Sequence, residues 1–277
     1  MLAQTLRLAR PDLEVVDYDI GQMRREGHLI APLIAELGGC DQVLSLSLGS
    51  EDGPLCSEVL HEAVRRLTIL PPFAFGGFHP DMIYVHTAQG YLDGFTHHYH
   101  SRIALAGFLA GRSVRETAAL YNALVMGRGG YFSAFAQERH LICQLFERFS
   151  LELAPLFERW TARGRFMHSI NHPMPWCYAD VALLLLRYAG LVSHDAVVDS
   201  AMIPDGLALH PTHPVLPPLA HRLGIEPETH FKPAHPMEVH AVQTEDFVHL
   251  EFERFAHAAR HELEAAPGVA SLRAALQ

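Results

Sequence analysis

The feature of the sequence that most limits the fold is a strand–helix–strand order in the first third of the chain. Asp41–Leu48 (DQVLSLSL) alternates apolar and polar residues as a strand does, and Cys56–Arg66 has helical spacing. The next strand region, which is the third along the chain, covers Leu67–Leu70 and Phe73–Phe75. Strands joined through a helix pair in parallel, so this region predicts an α/β fold with a small parallel sheet.

The chain opens with a helical pattern over Met1–Ala9, followed by a short predicted strand at Leu13–Tyr18 and a predicted helix at Leu29–Leu37. A parallel α/β domain normally opens with a strand, and its first strand-to-helix turn is a usual place for ligands. Either the fold is unusual, or the first strand of the sheet and its turn are missing from this chain.

Beyond residue 81 the periodicity becomes helical, which predicts a larger and mainly helical portion packed with the sheet. We expect an α/β portion over residues 1–85 and a mainly helical portion over 86–277 that together form one compact unit. A Pro- and His-rich stretch near the C-terminus is expected to wrap the surface. The predicted helices are Ser101–Ala110, Val114–Met126, Ser133–Trp160, Tyr178–Tyr188 and Phe247–Leu263.

Composition excludes several classes of protein. The formal charge of -10 over 277 residues argues against a nucleic-acid partner, because phosphate binding needs a basic surface, although a local basic pocket stays open. No apolar run reaches the length of a membrane span, and the N-terminus has no signal-peptide pattern. The four cysteines have no paired short spacing, which favours reduced thiols in the cytoplasm.

The first polar cluster is FGGFHPD, at the end of the third strand region. Gly76 and Gly77 let backbone amides approach a ligand closely, and His79 with Asp81 offers a base and an acid two residues apart. The alternative is a tight turn in which Asp81 caps the next segment.

The second cluster, HHYHS, precedes a predicted helix. Ser101 is expected to cap that helix, and Arg102 adds positive charge where helix starts bind anions. The histidines could suggest a metal, but no carboxylate or cysteine is spaced to complete a site, so no metal is predicted.

The third cluster is RFMHSINHPMPWC. Asn171 could orient a carbonyl or hydroxyl group, and His172 could act as a general base. The alternative is a turn whose side chains cap a helix beginning near Trp176. The sequence has no nucleophile elbow, no Walker loop and no dinucleotide fingerprint.

Taken in order, these clusters resemble the WcbI-type capsular polysaccharide biosynthesis family. The resemblance rests on GGFHPDMIYV, HHYHSRIALAGFLAGRSVRETAALYN, GRGGYF, FMHSINHPMPW and the later HPVLPPLAHRLGI, and it covers most of the chain between Asp41 and Phe231. The matching residues are His79, Pro80, Asp81, Tyr99, His100, Ser101, Asn171, His172 and Pro173.

The resemblance implies an enzyme that binds coenzyme A and acts as an O-acetyltransferase on a capsule sugar. A histidine would deprotonate the sugar hydroxyl, and a backbone amide or Asn171 would stabilise the oxyanion. The catalytic candidates are therefore His79, Asp81, His100, Ser101, Asn171 and His172. The candidates for contacts with coenzyme A or acetyl-CoA are Gly76, Gly77, Tyr99, Arg102 and Arg112.

The chain departs from the family at its front, where members carry a Gly-Asn-Cys-Gln turn that would precede LAQTLRL. Cys177 lies near the third cluster but matches nothing catalytic, so we interpret it as a buried structural thiol. Two other functions stay open: a hydrolase of esters or thioesters that uses the same groups, and a non-catalytic protein that binds a ligand. The expected partner is a sugar, nucleotide-sugar or polysaccharide acceptor, and the oligomeric state is left open.

Overall fold

The computed structural model describes residues 1–18, 30–48, 55–233 and 240–276. It shows a mixed α/β fold, so the predicted fold class is confirmed. The helices are Leu2–Ala9, Ile30–Gly38, Ser57–Ala63, Arg102–Leu109, Val114–Ala118, Ala123–Arg128, Tyr131–Glu147, Ala154–Arg163, Pro175–Tyr188, Pro217–Leu223, Thr244–Phe255, Arg260–Glu264 and Val269–Ala275. The strands are Val43–Leu46, Leu67–Leu70, Met82–Ile83, His86–Thr87, Gly90–Tyr91, His100–Ser101, Met167–Ser169, His172–Pro173, His230–Phe231 and Val242–Gln243. Two short 3-10 helices cover Ser200–Met202 and Gly206–Leu209.

The chain divides into two compact units, and each unit draws on three segments. The first unit comprises Met1–Phe73, Cys143–Leu156 and Pro175–Pro204. The second unit comprises Ala74–Ile142, Phe157–Met174 and Asp205–Gln277.

The first unit contains the predicted parallel pair. Strands Val43–Leu46 and Leu67–Leu70 run in parallel, with Val43 opposite Leu67. Apolar residues from the strands and the neighbouring helices pack together, because a two-stranded sheet needs a covered face to be stable. The buried members of this core are Leu33, Val43, Leu55, Leu60 and Val64.

Two predicted strand segments are wrong. Leu13–Tyr18 is a turn followed by irregular backbone, held by the Arg7 side chain, which donates to the Val15 carbonyl (2.8 Å). Phe73–Phe75 is also irregular. An apolar run becomes a strand only where a neighbouring strand can accept and donate its backbone hydrogen bonds, and a single sequence does not show that neighbour.

The predicted helices form, but three of them are interrupted. Phe247–Leu263 forms as Thr244–Phe255 and Arg260–Glu264, with a turn between them. Val114–Met126 is split, because Asn122 caps a new helix by accepting from the amide of Val125 (3.1 Å). Ser133–Trp160 is interrupted after Glu147, where Ser150 has a positive φ of 57° that ends the helical backbone. The predicted helix Leu29–Leu37 forms as Ile30–Gly38, with Leu29 outside the described residues.

Helix Arg102–Leu109 lies at the centre of the second unit. Its side chains from Ile103 to Ala106 have no exposed surface, so the helix is buried on more than one face. Gly107 is required there, since a Cβ would lie 2.4 Å from the Thr117 side chain. Part of the Pro- and His-rich stretch also enters this core, through Val215, Leu219, Ala220 and Phe231.

A cluster of aromatic rings fixes the first motif within the second unit. Phe75 is fully buried, and its ring lies 5.1–5.7 Å from the rings of Phe78, Phe135, Phe157 and Phe166. Such buried ring contacts contribute both area and geometric preference, so the backbone at Phe75 has little freedom.

Candidate active site

The first motif folds into a tight turn directly after Phe75. The amide of His79 donates to the Gly76 carbonyl (2.8 Å). Gly77 is buried, and a Cβ there would lie 2.5 Å from the Phe75 ring and 2.8 Å from Cα of Phe135. Packing therefore requires glycine at position 77, whereas Gly76 reaches a cleft.

This cleft has a volume of about 550 Å³. Ligand pockets usually have about 300–1,000 Å³, so the cleft is large enough for a small molecule. It lies wholly within the second unit, and its walls come from the first motif, from the GRGG segment with the helix that follows it, and from the third motif. The walls include Gly76, His79, Arg102, Gly130, Glu138 and Ile170.

His79 lines this cleft although its side chain is only 3% exposed. Among the described residues neither ring nitrogen has a hydrogen-bond partner, and the nearby backbone of Met167 does not meet hydrogen-bond geometry. Burial lowers the pKa of His79 to about 3, and the charge of Arg165 adds to this effect. The imidazole is therefore neutral at neutral pH, and both of its nitrogens are covered in this structure, with less than 1 Å² of exposed surface each.

Asp81 and Ser101 fix the start of helix Arg102–Leu109. The Asp81 carboxylate accepts from the Tyr131 hydroxyl (2.7 Å), from the Ile103 amide (3.0 Å) and from the Ser101 hydroxyl. Ser101 also accepts from the Ala104 amide, so the predicted N-cap is confirmed. Burial raises the pKa of Asp81, and its hydrogen bonds to Ser101 and Tyr131 oppose that rise. These contacts give both side chains a structural role, and any catalytic role stays a prediction.

His100 is fully buried and has a partner at each ring nitrogen. Nδ1 lies 3.1 Å from the Glu251 carboxylate, and Nε2 lies 3.0 Å from the Leu92 carbonyl. Burial alone would lower the pKa of His100, but the charge of Glu251 and its hydrogen bond outweigh burial, so the pKa lies above its ordinary value. In this position His100 stabilises the fold and does not reach the cleft lining.

The third motif meets the second through Tyr99. The Tyr99 hydroxyl donates to Oδ1 of Asn171 (2.6 Å), and the Ser169 hydroxyl donates to the same oxygen (3.2 Å). Nδ1 of His172 lies 2.7 Å from the Ser169 oxygen. The donor in this bond is set by the tautomer of the imidazole.

The His172 imidazole is partly exposed and neutral at neutral pH. Burial lowers its pKa to about 4, and the charges of His210 and His168 act in the same direction. The His210 ring lies 4.7 Å from it. His172 is thus a second possible base, but it is not part of the cleft lining.

The two predicted arginines lie in different places. Arg102 lines the cleft, where Nε donates to the Tyr131 hydroxyl (3.1 Å) and Nη2 to the Pro80 carbonyl (3.1 Å). Arg112 follows the far end of helix Arg102–Leu109 and donates to the Leu276 carbonyl (3.4 Å). The structure therefore brings Gly76, His79 and Arg102 together and leaves Arg112 away from the cleft.

One statement about the second cluster is wrong, because a carboxylate does stand beside its histidines. The ligand atoms of Asp93, His97 and His98 all lie within 4.8 Å of one another. Nδ1 of His97 is 2.9 Å from the Asp93 carboxylate. This group lies on an exposed loop outside the cleft, and His97 has a positive φ of 59°.

Sequence reasoning missed two buried polar residues of this region. Glu251 lies four residues from both Phe247 and Phe255, on the same face of the helix. A charged residue on this apolar face was the sequence signal that Glu251 is buried. His213 is 2% exposed and lies 3.0 Å from the Thr96 hydroxyl, and nothing in its local sequence indicates burial.

Cys177 is fully buried in the first unit. Burial raises the pKa of its thiol well above the ordinary value, with Asp180 adding to the rise, so the reactive thiolate is disfavoured. Across the described ranges no helix combines the length and the apolar character needed to cross a membrane.

The second unit thus combines a ligand-sized cleft with a neutral, buried histidine in its wall. The chain belongs to the family of the polysaccharide biosynthesis enzyme WcbI, which it matches over residues 1–194. The resemblance seen in the sequence is therefore confirmed.

A solved structure agrees with this family assignment. The chain is similar to WcbI, described as a novel polysaccharide biosynthesis enzyme, in its native form without a disulfide bond between coenzyme A and a cysteine. The TM-score is 0.77 at 14% sequence identity, and the match covers 100% of this chain and 95% of that one. At this identity the likeness shows a shared fold. No curated protein matches the chain significantly.

Proposed function

We propose that the protein transfers an acyl group, with acetyl as the expected group, from acyl-coenzyme A to a hydroxyl of a sugar used in surface polysaccharide assembly. The family and the coenzyme A named with the similar structure support this proposal. The observation that carries it is His79, a neutral imidazole on a ligand-sized cleft with no partner among the described residues. A base that must accept a substrate proton needs a nitrogen that the protein itself leaves free.

In the proposed reaction His79 takes the proton of the sugar hydroxyl as its oxygen attacks the thioester carbonyl carbon. The carbon–sulfur bond then breaks, and the proton passes from His79 to the departing sulfur. The products are the acylated sugar and coenzyme A with a free thiol, so one proton moves and no oxidant is needed. General base catalysis of this kind contributes about 10²–10⁴-fold to the rate.

Asn171 is the proposed donor to the oxyanion. Its Oδ1 is engaged by Tyr99 and Ser169, so its amide NH₂ group points away from these two hydroxyls and stays available. The neighbouring residue Ile170 lines the cleft. A preorganised donor of this kind stabilises the negative charge that develops on the carbonyl oxygen.

The cleft also fits the acyl group itself. Ala74, Met82 and Ile170 give it apolar wall beside His79. A short acyl chain can lie against such a wall, whereas its thioester carbonyl must face the polar groups. The free thiols of Cys40, Cys56 and Cys177 fit a reducing compartment, so we place the reaction in the cytoplasm.

A thioester hydrolase would use the same groups, with water in place of the sugar. One assay distinguishes the transferase from the hydrolase. It measures release of the coenzyme A thiol from acetyl-CoA with and without acceptor sugars. Calorimetric titration with coenzyme A is run alongside. We expect binding of coenzyme A and thiol release that depends on an acceptor. Equal release without an acceptor would support the hydrolase, and absence of coenzyme A binding would refute both.

A further inference from the structure

The two ends of the cleft differ in charge. At one end lie Arg102 and the start of helix Tyr131–Glu147, and at the other end lie Gln137 and Glu138 from the next turns of the same helix. The first end favours an anion, because the helix dipole and the guanidinium both present positive charge there. The second end offers the oxygens and amide that bind hydroxyl groups.

The helix start is open to a ligand. Gly130 has a φ of +77°, and the position of a Cβ there is free of other atoms within 4 Å. The amide and hydroxyl of Ser133 both donate to the Gly130 carbonyl, at 3.3 and 2.9 Å. The Ser133 amide is therefore occupied, and what this helix start contributes to the cleft is the positive end of the helix dipole rather than a set of free amides.

Arg102 is held in place beside this helix start. Its guanidinium lies 4.4 Å above the Tyr131 ring, in addition to its bonds to the Tyr131 hydroxyl and the Pro80 carbonyl. These bonds use Nε and one terminal nitrogen, and a guanidinium has five N–H donors. The other terminal nitrogen, Nη1, lies against Gly268, so the guanidinium offers a phosphate its positive charge and its remaining N–H groups rather than a free two-nitrogen edge.

The buried, unpartnered imidazole of His79 belongs to the same cleft and independently indicates a ligand. Ser133 and Glu138 are five residues apart on the helix, which corresponds to about 7.5 Å at 1.5 Å per residue. Glu138 already accepts weakly from the Gly76 amide (3.4 Å). A carboxylate at this distance repels a phosphate from its own end and attracts hydroxyl groups, which orients a ligand that carries both.

We infer that the cleft takes an acceptor sugar that carries a phosphate group, with the phosphate at Arg102 and the start of helix Tyr131–Glu147 and the sugar hydroxyls toward Gln137 and Glu138. This inference rests on the proposed function, and it selects a sugar phosphate or nucleotide-sugar over the neutral end of a finished polysaccharide. His79 then lies along the sugar, where it can reach a hydroxyl.

The test compares glucose 1-phosphate, glucose, inorganic phosphate and coenzyme A by calorimetric titration of the full chain. We expect glucose 1-phosphate to bind about tenfold or more tightly than glucose, and inorganic phosphate to compete with it. Arg102→Gln should remove that difference. Arg115→Gln, which removes an exposed arginine outside the cleft, is the matched control and should keep it. Circular dichroism shows whether each variant is folded, and Arg102→Met, which also removes the charge and keeps an unbranched side chain, replaces Arg102→Gln if the latter is not.

Three results would overturn the inference. Glucose 1-phosphate and glucose could bind equally, or glucose 1-phosphate could fail to bind at millimolar concentration. Arg102→Gln could instead weaken coenzyme A and leave glucose 1-phosphate unchanged, which would assign the phosphate site to the acyl donor. Coenzyme A binding by the unaltered chain reports on the proposed function separately, so that function can stand when this inference fails.

Discussion

The hydroxyl of Tyr99 donates a 2.6 Å hydrogen bond to the side-chain oxygen of Asn171, and the two residues are 72 positions apart in the sequence. This bond joins the second motif to the third. Because it occupies the acceptor atom of Asn171, it also determines which way the amide donors of that side chain point. The Tyr99 ring further lies edge-on to His172, with the ring centres 6.4 Å apart.

Replacing Tyr99 with phenylalanine tests this relationship. Tyr99→Phe removes one hydrogen bond and keeps the ring, so we expect the free energy of unfolding to fall by about 1 kcal/mol. We also expect kcat to fall more than KM changes, since Asn171 would lose its fixed orientation. Tyr188→Phe, at a residue that is 45% exposed, is the control and should change neither. Urea unfolding and thiol-release kinetics give the measurements, and an unchanged kcat in Tyr99→Phe would argue against Asn171 as the oxyanion donor.

Removing one partner of the buried pair His100 and Glu251 is expected to be strongly destabilising. Glu251→Ala leaves a buried imidazole without its charged partner, and breaking such a pair costs about 3–5 kcal/mol. Glu253→Ala removes the exposed partner of His249, only two residues away, and should cost less than about 1 kcal/mol. Urea unfolding of both variants makes the comparison. If Glu251→Ala and Glu253→Ala lost similar unfolding free energy, the buried pair would be no more important to stability than the exposed one.

The same pair predicts how stability depends on pH. The folded protein raises the pKa of His100, so the pair stabilises fully below the ordinary histidine value of about 6.5. This stabilisation is lost as the pH rises through the folded pKa of His100, because the unfolded chain has by then released its proton. In the Glu251→Gln variant, the unfolding free energy should not show this decrease with rising pH. The unfolding free energy is measured from about pH 6 upward, and parallel curves for the variant and the unaltered chain would contradict the assignment.

Local signals predicted local features well. Ser101 caps its helix as expected, and Ser113 with Glu116, three residues on, forms a capping box. Those features need only neighbouring residues, so they can be read from a short stretch of sequence. The parallel direction of strands Val43–Leu46 and Leu67–Leu70 also followed from the order of strand, helix and strand.

Long-range polar partners could not be predicted in the same way. His100 and Glu251 are 151 positions apart, and the sequence gives no measure of that proximity. His79 and Asp81 looked equivalent as neighbouring acid–base residues, yet the buried nitrogens of His79 have no partner among the described residues, whereas Asp81 is enclosed by donors. The environments of His79 and Asp81 differ because of the way helix Arg102–Leu109 and Tyr131 pack.

The proposed base is tested by comparing His79→Leu with His172→Ala. Leucine fills a similar volume and removes two buried nitrogens that lack partners, so His79→Leu should be at least as stable as the unaltered chain at neutral pH. Its acceptor-dependent thiol release should fall by about 10²-fold or more. His172→Ala should reduce turnover less, because His172 is not part of the cleft lining.

The stability of His79→Leu at low pH gives a readout that does not depend on activity. The folded pKa of His79 is about 3, so below the ordinary value the unfolded chain binds a proton that the folded chain does not. His79 therefore lowers the unfolding free energy by up to about 1.4 kcal/mol per pH unit as the pH falls from about 6.5. The unfolding free energy of His79→Leu should therefore change less with pH over this range than that of the unaltered chain. If it does change less but thiol release persists, while His172→Ala is inactive, His79 is buried as described and the general base is His172.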